Sequence, residues 1–139
     1  MRFGVKLTLA THRPGRLNKD KPMIKNYLTT DKQTQESSHA GKGPVELYEI
    51  WAKADFDSNV DFIDRVVIPP GSSVGYHRHG DNEEMHIVLG GNTRMTIDGE
   101  QRRVSTGDMI LNPAGGAHGQ VNDSERDIDL LVLQVGLHA

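Results

Sequence analysis

The sequence predicts an all-β protein, and three observations support that fold class. From Val45 onward the chain is a series of apolar runs, each 4–9 residues long. Several runs alternate apolar and polar residues with period two and are rich in β-branched residues, as half-buried strands are. Clusters of Gly, Pro, Asn and Asp separate the runs, and no window shows a sustained helical period. Many short strands at this spacing indicate an antiparallel sandwich or barrel.

The apolar runs give the order of the predicted strands. They cover residues 45–52, 62–68, 85–89, 93–97, 109–112 and 127–135. Two further strands are expected to carry His77 and His118. Residues 93–104 read as a hairpin closed at Asp98-Gly99, because an Asp-Gly pair favours the tight turn between two antiparallel strands.

The chain divides into an N-terminal arm with a polar lead-in, residues 1–44, and a single barrel domain, residues 45–139. Residues 1–22 are basic and contain Pro14 and Pro22, so we expect a weakly structured arm. Met23 offers a second start, which would make that arm an extension. Residues 23–44 are polar and read as a loop with one short element.

Composition excludes several classes of protein and site. The chain of 139 residues contains no cysteine, so any metal has to be held by imidazole and carboxylate groups. No apolar run approaches the roughly 20 residues that a membrane helix needs. The first residues lack the apolar stretch of a signal peptide. We therefore expect a cytoplasmic protein that does not enter the membrane.

Charge is distributed unevenly along the chain. Residues 1–44 carry nine Lys/Arg and three Asp/Glu, whereas residues 45–139 carry seven and sixteen. A basic arm can dock on its own acidic body, on a second subunit or on nucleic acid. The absence of interleaved aromatic residues and of a helix-turn-helix pattern argues against nucleic acid. We expect a homodimer in which the N-terminal segment covers a sheet edge of the second subunit.

The segment that begins at Gly75 contains the residues that point to chemistry. His77 and His79 are two residues apart on a predicted strand, so both side chains lie on one face. A turn follows, and the next strand opens with Glu83 and Glu84. If Glu84 faces inward, His86 does so too, because alternate residues share a face of a strand.

A second segment supplies a further histidine. Pro113 and Gly115 form a tight turn, and His118 then begins a strand with Gln120 and Asn122 on its face. Three neutral imidazoles and one carboxylate that converge inside a barrel are suited to a divalent first-row metal, here Fe, Mn, Ni or Zn. A cysteine-free set of this kind indicates an open chemical site rather than a closed structural zinc site.

These two segments resemble the two sequence motifs of the cupins. The first motif corresponds to Gly71, His77, His79, Glu84 and Gly91; an alternative register uses Glu83 and Gly90. The second corresponds, without deviation in spacing, to Gly107, Pro113, Gly115, His118 and Asn122. The resemblance covers residues 45–136 and implies a double-stranded β-helix, or jelly-roll barrel. It implies that the metal ligands are His77, His79, Glu84 and His118.

Four other residues have two interpretations each. His86 is either a hydrogen-bonded pocket histidine or a catalytic acid or base near the metal. Gln120 is either a structural amide or a catalytic residue that binds substrate or water. Arg65 binds a substrate carboxylate if it faces inward and pairs with local acids if it faces outward. His39 is either a loop histidine or part of a lid over the barrel mouth.

Fold resemblance does not fix the reaction. The leading interpretation is a metal-dependent enzyme that acts on a small organic molecule, with dioxygenase chemistry slightly favoured. An isomerase for a sugar or keto compound, a decarboxylase, and a cyclase or dehydratase follow closely. The alternative from another class is a non-catalytic cupin that binds a small ligand.

Overall fold

A computed structural model describes residues 21–137 of the chain. The predicted basic arm, apart from its last two residues, lies outside the described residues. The strands are β1 (Gln33–Glu36), β2 (Pro44–Ala52), β3 (Val60–Ile68), β4 (Ser73–Arg78), β5 (Asn82–Gly90), β6 (Asn92–Ile97), β7 (Glu100–Ser105), β8 (Met109–Asn112), β9 (Ala117–Val121) and β10 (Ile128–Gly136). Two short 3-10 turns, Ser38–Ala40 and Lys53–Asp55, accompany them. Across residues 21–137, no helix has the length and hydropathy needed to cross a bilayer.

The strands form two antiparallel sheets. The larger sheet has the order β1-β2-β3-β10-β5-β8, and the smaller has the order β4-β9-β6-β7. The core between them contains fully buried aliphatic and methionine side chains, among them Ile68, Val88, Met95, Ile128 and Leu130. The prediction of an all-β jelly-roll barrel is confirmed.

The predicted hairpin is formed by β6 and β7. Asp98 and Gly99 join the two strands with φ values of 45° and 82°. Two consecutive positive φ values are the signature of the type I′ turn, whose twist matches that of antiparallel strands.

Strand β5 connects the core to the candidate site. Its buried residues, Glu84, His86 and Val88, alternate with more exposed ones, so they share the inner face. On that face His86 is paired with Val132 of β10, which is paired in turn with Asp64 of β3. These cross-strand pairs place residues from distant parts of the sequence side by side.

The polar lead-in is part of the larger sheet. Strand β1 pairs with β2 in register from Gln33 opposite Leu47 to Glu36 opposite Pro44. Before it, the Lys25 ammonium donates to the Ile50 carbonyl at 2.9 Å and lies 4.4 Å from the centre of the Trp51 ring. The lead-in therefore docks on its own domain. The division at residue 44 stays a prediction, although strand pairing extends across it.

Candidate metal centre

Two histidines at the end of β4 are oriented by hydrogen bonds to their Nδ1 atoms. The Nδ1–H of His77 donates to the Gly75 carbonyl at 2.7 Å, and that of His79 donates to Oδ1 of Asn82 at 2.7 Å. Because Nδ1 is the donor in both rings, Nε2 is the atom that offers a lone pair when the imidazole is neutral. Bonds of this kind fix the tautomer and ring orientation of metal-binding histidines.

The other two predicted ligands meet these histidines. His118 of β9 is paired with His77 across the smaller sheet, and its Nε2 lies 2.7 Å from Nε2 of His79. The Glu84 carboxylate lies 3.7 Å from His79 Nε2 and 3.9 Å from His118 Nε2. The structure thus brings together all four side chains that the resemblance implied, with Glu84 rather than Glu83 on the inner face.

The protonation of the cluster favours cation binding. Burial, and then the nearby His86, lowers the pKa of His118 to about 3, so its imidazole is neutral at pH 7. Burial alone would raise the pKa of Glu84, but the hydrogen bond from His86 and the surrounding histidines lower it below its ordinary value. A neutral imidazole and an ionised carboxylate are the forms that ligate metals.

The spacing of the donor atoms also fits a single ion. Two atoms that each lie about 2.1 Å from one ion are about 3 Å apart when they subtend a right angle. The separations between these donor atoms, from 2.7 Å to 3.9 Å, bracket that value. His77, His79 and His118 can each offer a nitrogen with all three atoms within 4.8 Å of one another. The residues present therefore fit a divalent first-row metal, and their role as ligands stays a prediction.

His86 contacts a predicted ligand directly. Its Nε2 donates to Oε1 of Glu84 at 2.6 Å, and the residue is 6 % exposed. Its other ring nitrogen, Nδ1, has no hydrogen-bond partner among the residues described. The structure is compatible with both interpretations of His86, as a pocket histidine that holds Glu84 and as an acid or base.

A cavity of about 190 Å³ adjoins the cluster, and Glu84 and His118 are part of its lining. Most of the wall is apolar and is formed by Leu47, Phe62, Val66, Val74, Leu130 and Val132. Gln120 also lines it, is 4 % exposed, and has an Nε2 without a hydrogen-bond partner in the part of the chain described. The predicted catalytic residues His86 and Gln120 therefore border the same cavity.

Asp64 is a candidate that sequence analysis missed. It lines the cavity, is 8 % exposed, and has an Oδ1 atom that finds no partner within residues 21–137. Burial, followed by the charges of Glu49 and Glu84, raises its pKa to about 7. Phe62, Asp64 and Val66 alternate along one face of β3, but apolar residues occupy both phases of this strand, so the sequence did not show which face points inward.

The neighbouring Arg65 takes the outward orientation. Its guanidinium donates to both carboxylate oxygens of Asp129, each at 2.8 Å. The interpretation in which Arg65 binds a substrate carboxylate inside the barrel is therefore wrong.

His39 lies against the cluster. Its ring is stacked on that of His77, with centroids 3.6 Å apart and planes within 6°. The chain reaches this position through left-handed backbone at Ser37, His39 and Ala40, with φ of 51°, 50° and 60°. A Cβ at Gly75 would lie 2.0 Å from the His39 carbonyl oxygen, so the close approach requires glycine there. His39 therefore lies in a connecting turn and is a neighbour of the predicted metal ligands.

Comparison with known proteins identifies the family. A family profile described as a cupin domain matches residues 64–134, which include both histidine segments. The chain belongs to the cupin family. The profile begins at Asp64 and ends within β10, so this cupin's β1 and β2 precede the matched region.

Two proteins of Thermotoga maritima are similar to most of this cupin. An oxalate-binding protein of Thermotoga maritima is 29 % identical over 93 residues, 67 % of this chain and 77 % of that protein. The crystal structure of a predicted oxalate decarboxylase from Thermotoga maritima has a TM-score of 0.80 and 25 % identity, covering 83 % of this chain and 100 % of that one.

Other similarities are to small parts of longer enzymes. A gentisate 1,2-dioxygenase of Aquipseudomonas alcaligenes is 33 % identical over 60 residues, 43 % of this chain and 17 % of that enzyme. The chain spans about a fifth of the length of the mannose-1-phosphate guanylyltransferases that it also matches. These partial matches indicate the shared domain and leave the reaction open.

Proposed function

We propose that this cupin is a metal-dependent enzyme that acts on a small organic acid inside the barrel. The observation that carries the proposal is the convergence of three imidazoles and the Glu84 carboxylate beside a cavity that His118 and Glu84 line. The ligands in the proposal are His77, His79, Glu84 and His118, and the metal is Fe, Mn, Ni or Zn.

The size and lining of the cavity favour a small substrate. Its volume of about 190 Å³ is below the roughly 300–1,000 Å³ of sites for drug-sized ligands. The apolar wall can enclose a short carbon skeleton, and a cation in the cluster would attract an acid group. The Thermotoga maritima relative named for oxalate binding supports a carboxylic acid as the ligand class.

A divalent metal in this cluster supplies Lewis acidity or, if it is redox-active, a site for dioxygen. The chain's own residues have separate tasks. His86 holds Glu84 by donating to Oε1, and its Nδ1 has no partner among residues 21–137. Gln120 presents an amide N–H that can orient the substrate. In this proposal His86 exchanges a proton with the substrate and Gln120 holds it in place.

Lewis-acid chemistry, such as decarboxylation or isomerisation, is the first reaction class in this proposal. Dioxygenase chemistry is second, since the similarity to gentisate dioxygenase is confined to 60 residues. Non-catalytic binding is a third candidate, favoured by the name of the oxalate-binding relative. The homodimer and the cytoplasmic location stay predictions.

Calorimetry with defined metal content tests the proposed function. Full-length protein is stripped of metal, reloaded with Zn²⁺ or Mn²⁺, and titrated with short monocarboxylic acids and with oxalate. We expect binding by the loaded protein and at least about tenfold weaker binding by the stripped protein. Equal affinity with and without metal would contradict the proposal.

A further inference from the structure

Three buried polar side chains line one cavity and each has an atom without a partner in residues 21–137. The atoms are Oδ1 of Asp64, Nδ1 of His86 and Nε2 of Gln120, and each residue is at least nine-tenths buried. A buried polar atom without a hydrogen bond destabilises the fold, so native proteins seldom contain one without a reason. Three such atoms around one cavity indicate a polar ligand.

The three residues surround the cavity from both sheets. Asp64 and His86 are each paired with Val132 on the inner face of the larger sheet, which places them two strands, or about 10 Å, apart. Gln120 belongs to β9 of the smaller sheet, where it is paired with Val74 and Met95. Within residues 21–137, the side chains of Asp64 and Gln120 make no hydrogen bond to the predicted ligands, whereas His86 donates to Glu84.

The charge of the wall restricts what Asp64 can bind. The residues that line the cavity include neither Lys nor Arg, and the nearby Arg65 is held outside by Asp129. Glu49 and Glu84 already act on Asp64 with like charge. A second carboxylate on the substrate would be buried beside acids without a cation, which is strongly unfavourable. The group that reaches Asp64 is therefore not a second carboxylate, and an ammonium is excluded because it could not accept a hydrogen bond from Gln120 Nε2.

We infer that Asp64 and Gln120 form a subsite for a neutral oxygen at the end of the substrate remote from its carboxylate. This inference rests on the proposed function, in which the carboxylate lies at the ligand cluster. The Gln120 amide donates to the oxygen, and the Asp64 carboxyl accepts from a hydroxyl or, when protonated, donates to a carbonyl. The substrate class is a short hydroxy acid or oxo acid rather than a dicarboxylic acid.

A matched set of probes tests the subsite. Full-length Zn²⁺-loaded protein is titrated by calorimetry with straight-chain acids of three to six carbons that carry a terminal hydroxyl. The comparison acids carry a methyl or a carboxylate in place of that hydroxyl. We expect the best hydroxy acid to bind at least about tenfold more tightly than its methyl and carboxylate counterparts. A dicarboxylic acid as the tightest ligand would overturn the inference.

Variants of Asp64 and Gln120 then test whether these two residues cause the preference for a terminal hydroxyl. Asp64→Leu and, separately, Gln120→Leu should reduce the hydroxyl-over-methyl preference to less than about threefold, with zinc content unchanged. The matched control is Asp61→Leu, because Asp61 is on the same strand and bonds to Gln134 instead of lining the cavity. The control should keep the preference.

The outcomes separate the two proposals. If no acid binds the zinc-loaded protein, the proposed function fails and the subsite fails with it. If acids bind without a preference for the terminal hydroxyl, the subsite alone is wrong. The same holds if that preference is kept in both leucine variants. The two variants change different strands, so a folding defect in one leaves the other as a test.

Discussion

The ligand cluster, formed by His77, His79, Glu84 and His118, differs from the wall of the cavity in how its polar atoms are satisfied. In the cluster, the Gly75 carbonyl and the Asn82 side-chain oxygen each accept a hydrogen bond from a ring nitrogen, and His86 donates to the carboxylate. On the wall, Asp64 and Gln120 each keep an atom without a partner in the described chain.

This contrast shows two ways of preparing a site. The chain itself orients the cluster, so that its remaining donor atoms converge before any ion binds. The wall has polar groups that a ligand can satisfy. Without a ligand, these unpartnered groups lower the stability of the folded protein. We therefore expect the cluster to determine affinity for metal and the wall to determine the choice of substrate.

The largest expected effect comes from removing a ligand of the cluster. His118→Ala should weaken Zn²⁺ binding by more than the roughly 100-fold that loss of an outer partner can cause. The measurement is competition with a chromogenic chelator. Gln120→Ala, two residues along the same strand, should keep zinc affinity within about twofold. Equal losses in both variants would show that cluster and wall are not separable.

A substitution on the wall is expected to increase the free energy of unfolding. Asp64→Leu should stabilise the fold, since it replaces a buried carboxyl that lacks a partner for Oδ1 within residues 21–137. The gain should be small below pH 4 and grow through pH 7, to about 2–4 kcal/mol.

The sign follows from the pKa of Asp64, which burial raises to about 7 in the folded protein. The protonated form is favoured on folding, so the wild-type carboxyl loses its contribution to stability as pH rises from about 4 to 7. Urea unfolding of the wild type and of Asp64→Leu at pH 4 and pH 8, with the same metal content, measures how their stability difference depends on pH. A stability difference that is independent of pH would contradict the buried placement of this carboxyl.

The outer partners of the cluster should have an intermediate effect. Asn82→Ala removes the acceptor of the His79 Nδ1–H and should lower metal affinity about 10- to 100-fold. Asp81→Ala changes the adjacent residue and serves as control. If both variants bind metal as well as the wild type, Asn82 does not orient His79.

The smallest expected effect concerns the ring stacked on the cluster. His39→Ala should lower metal affinity by about 2- to 10-fold, since aromatic stacking contributes about 0.5–1.5 kcal/mol. His39→Phe keeps a flat ring against His77 and should recover most of the loss. Recovery that is absent with phenylalanine would mean that His39 acts through its nitrogens rather than through stacking.

The two regions also differ in how far the sequence predicts them. Cluster residues follow two short motifs, and for the carboxylate these motifs leave only the adjacent Glu83 and Glu84 as alternatives. The inward direction of Asp64 could not be predicted in this way, because apolar residues occupy both phases of its strand, as Phe62 and Ile63 illustrate.

The phase of β3 is set instead by pairing with neighbouring strands. Its registers with β2 and with β10 both shift within the pairs, between Glu49 and Trp51 and between Gln134 and Val135. The sequence could not predict the position of His39 either. Three residues with left-handed backbone turn the chain there, so that the His39 ring stacks on His77, 38 positions later.

The most direct test of the central claim is elemental analysis of untagged, full-length protein purified without added metal. Glu84→Ala and Glu83→Ala form the matched pair, because these adjacent residues differ mainly in which face of β5 they occupy. We predict about one first-row divalent ion per chain in the wild type and in Glu83→Ala, and a loss of most of it in Glu84→Ala. A wild type without metal, or a Glu84→Ala variant that retains it fully, would contradict a metal centre built on this cluster.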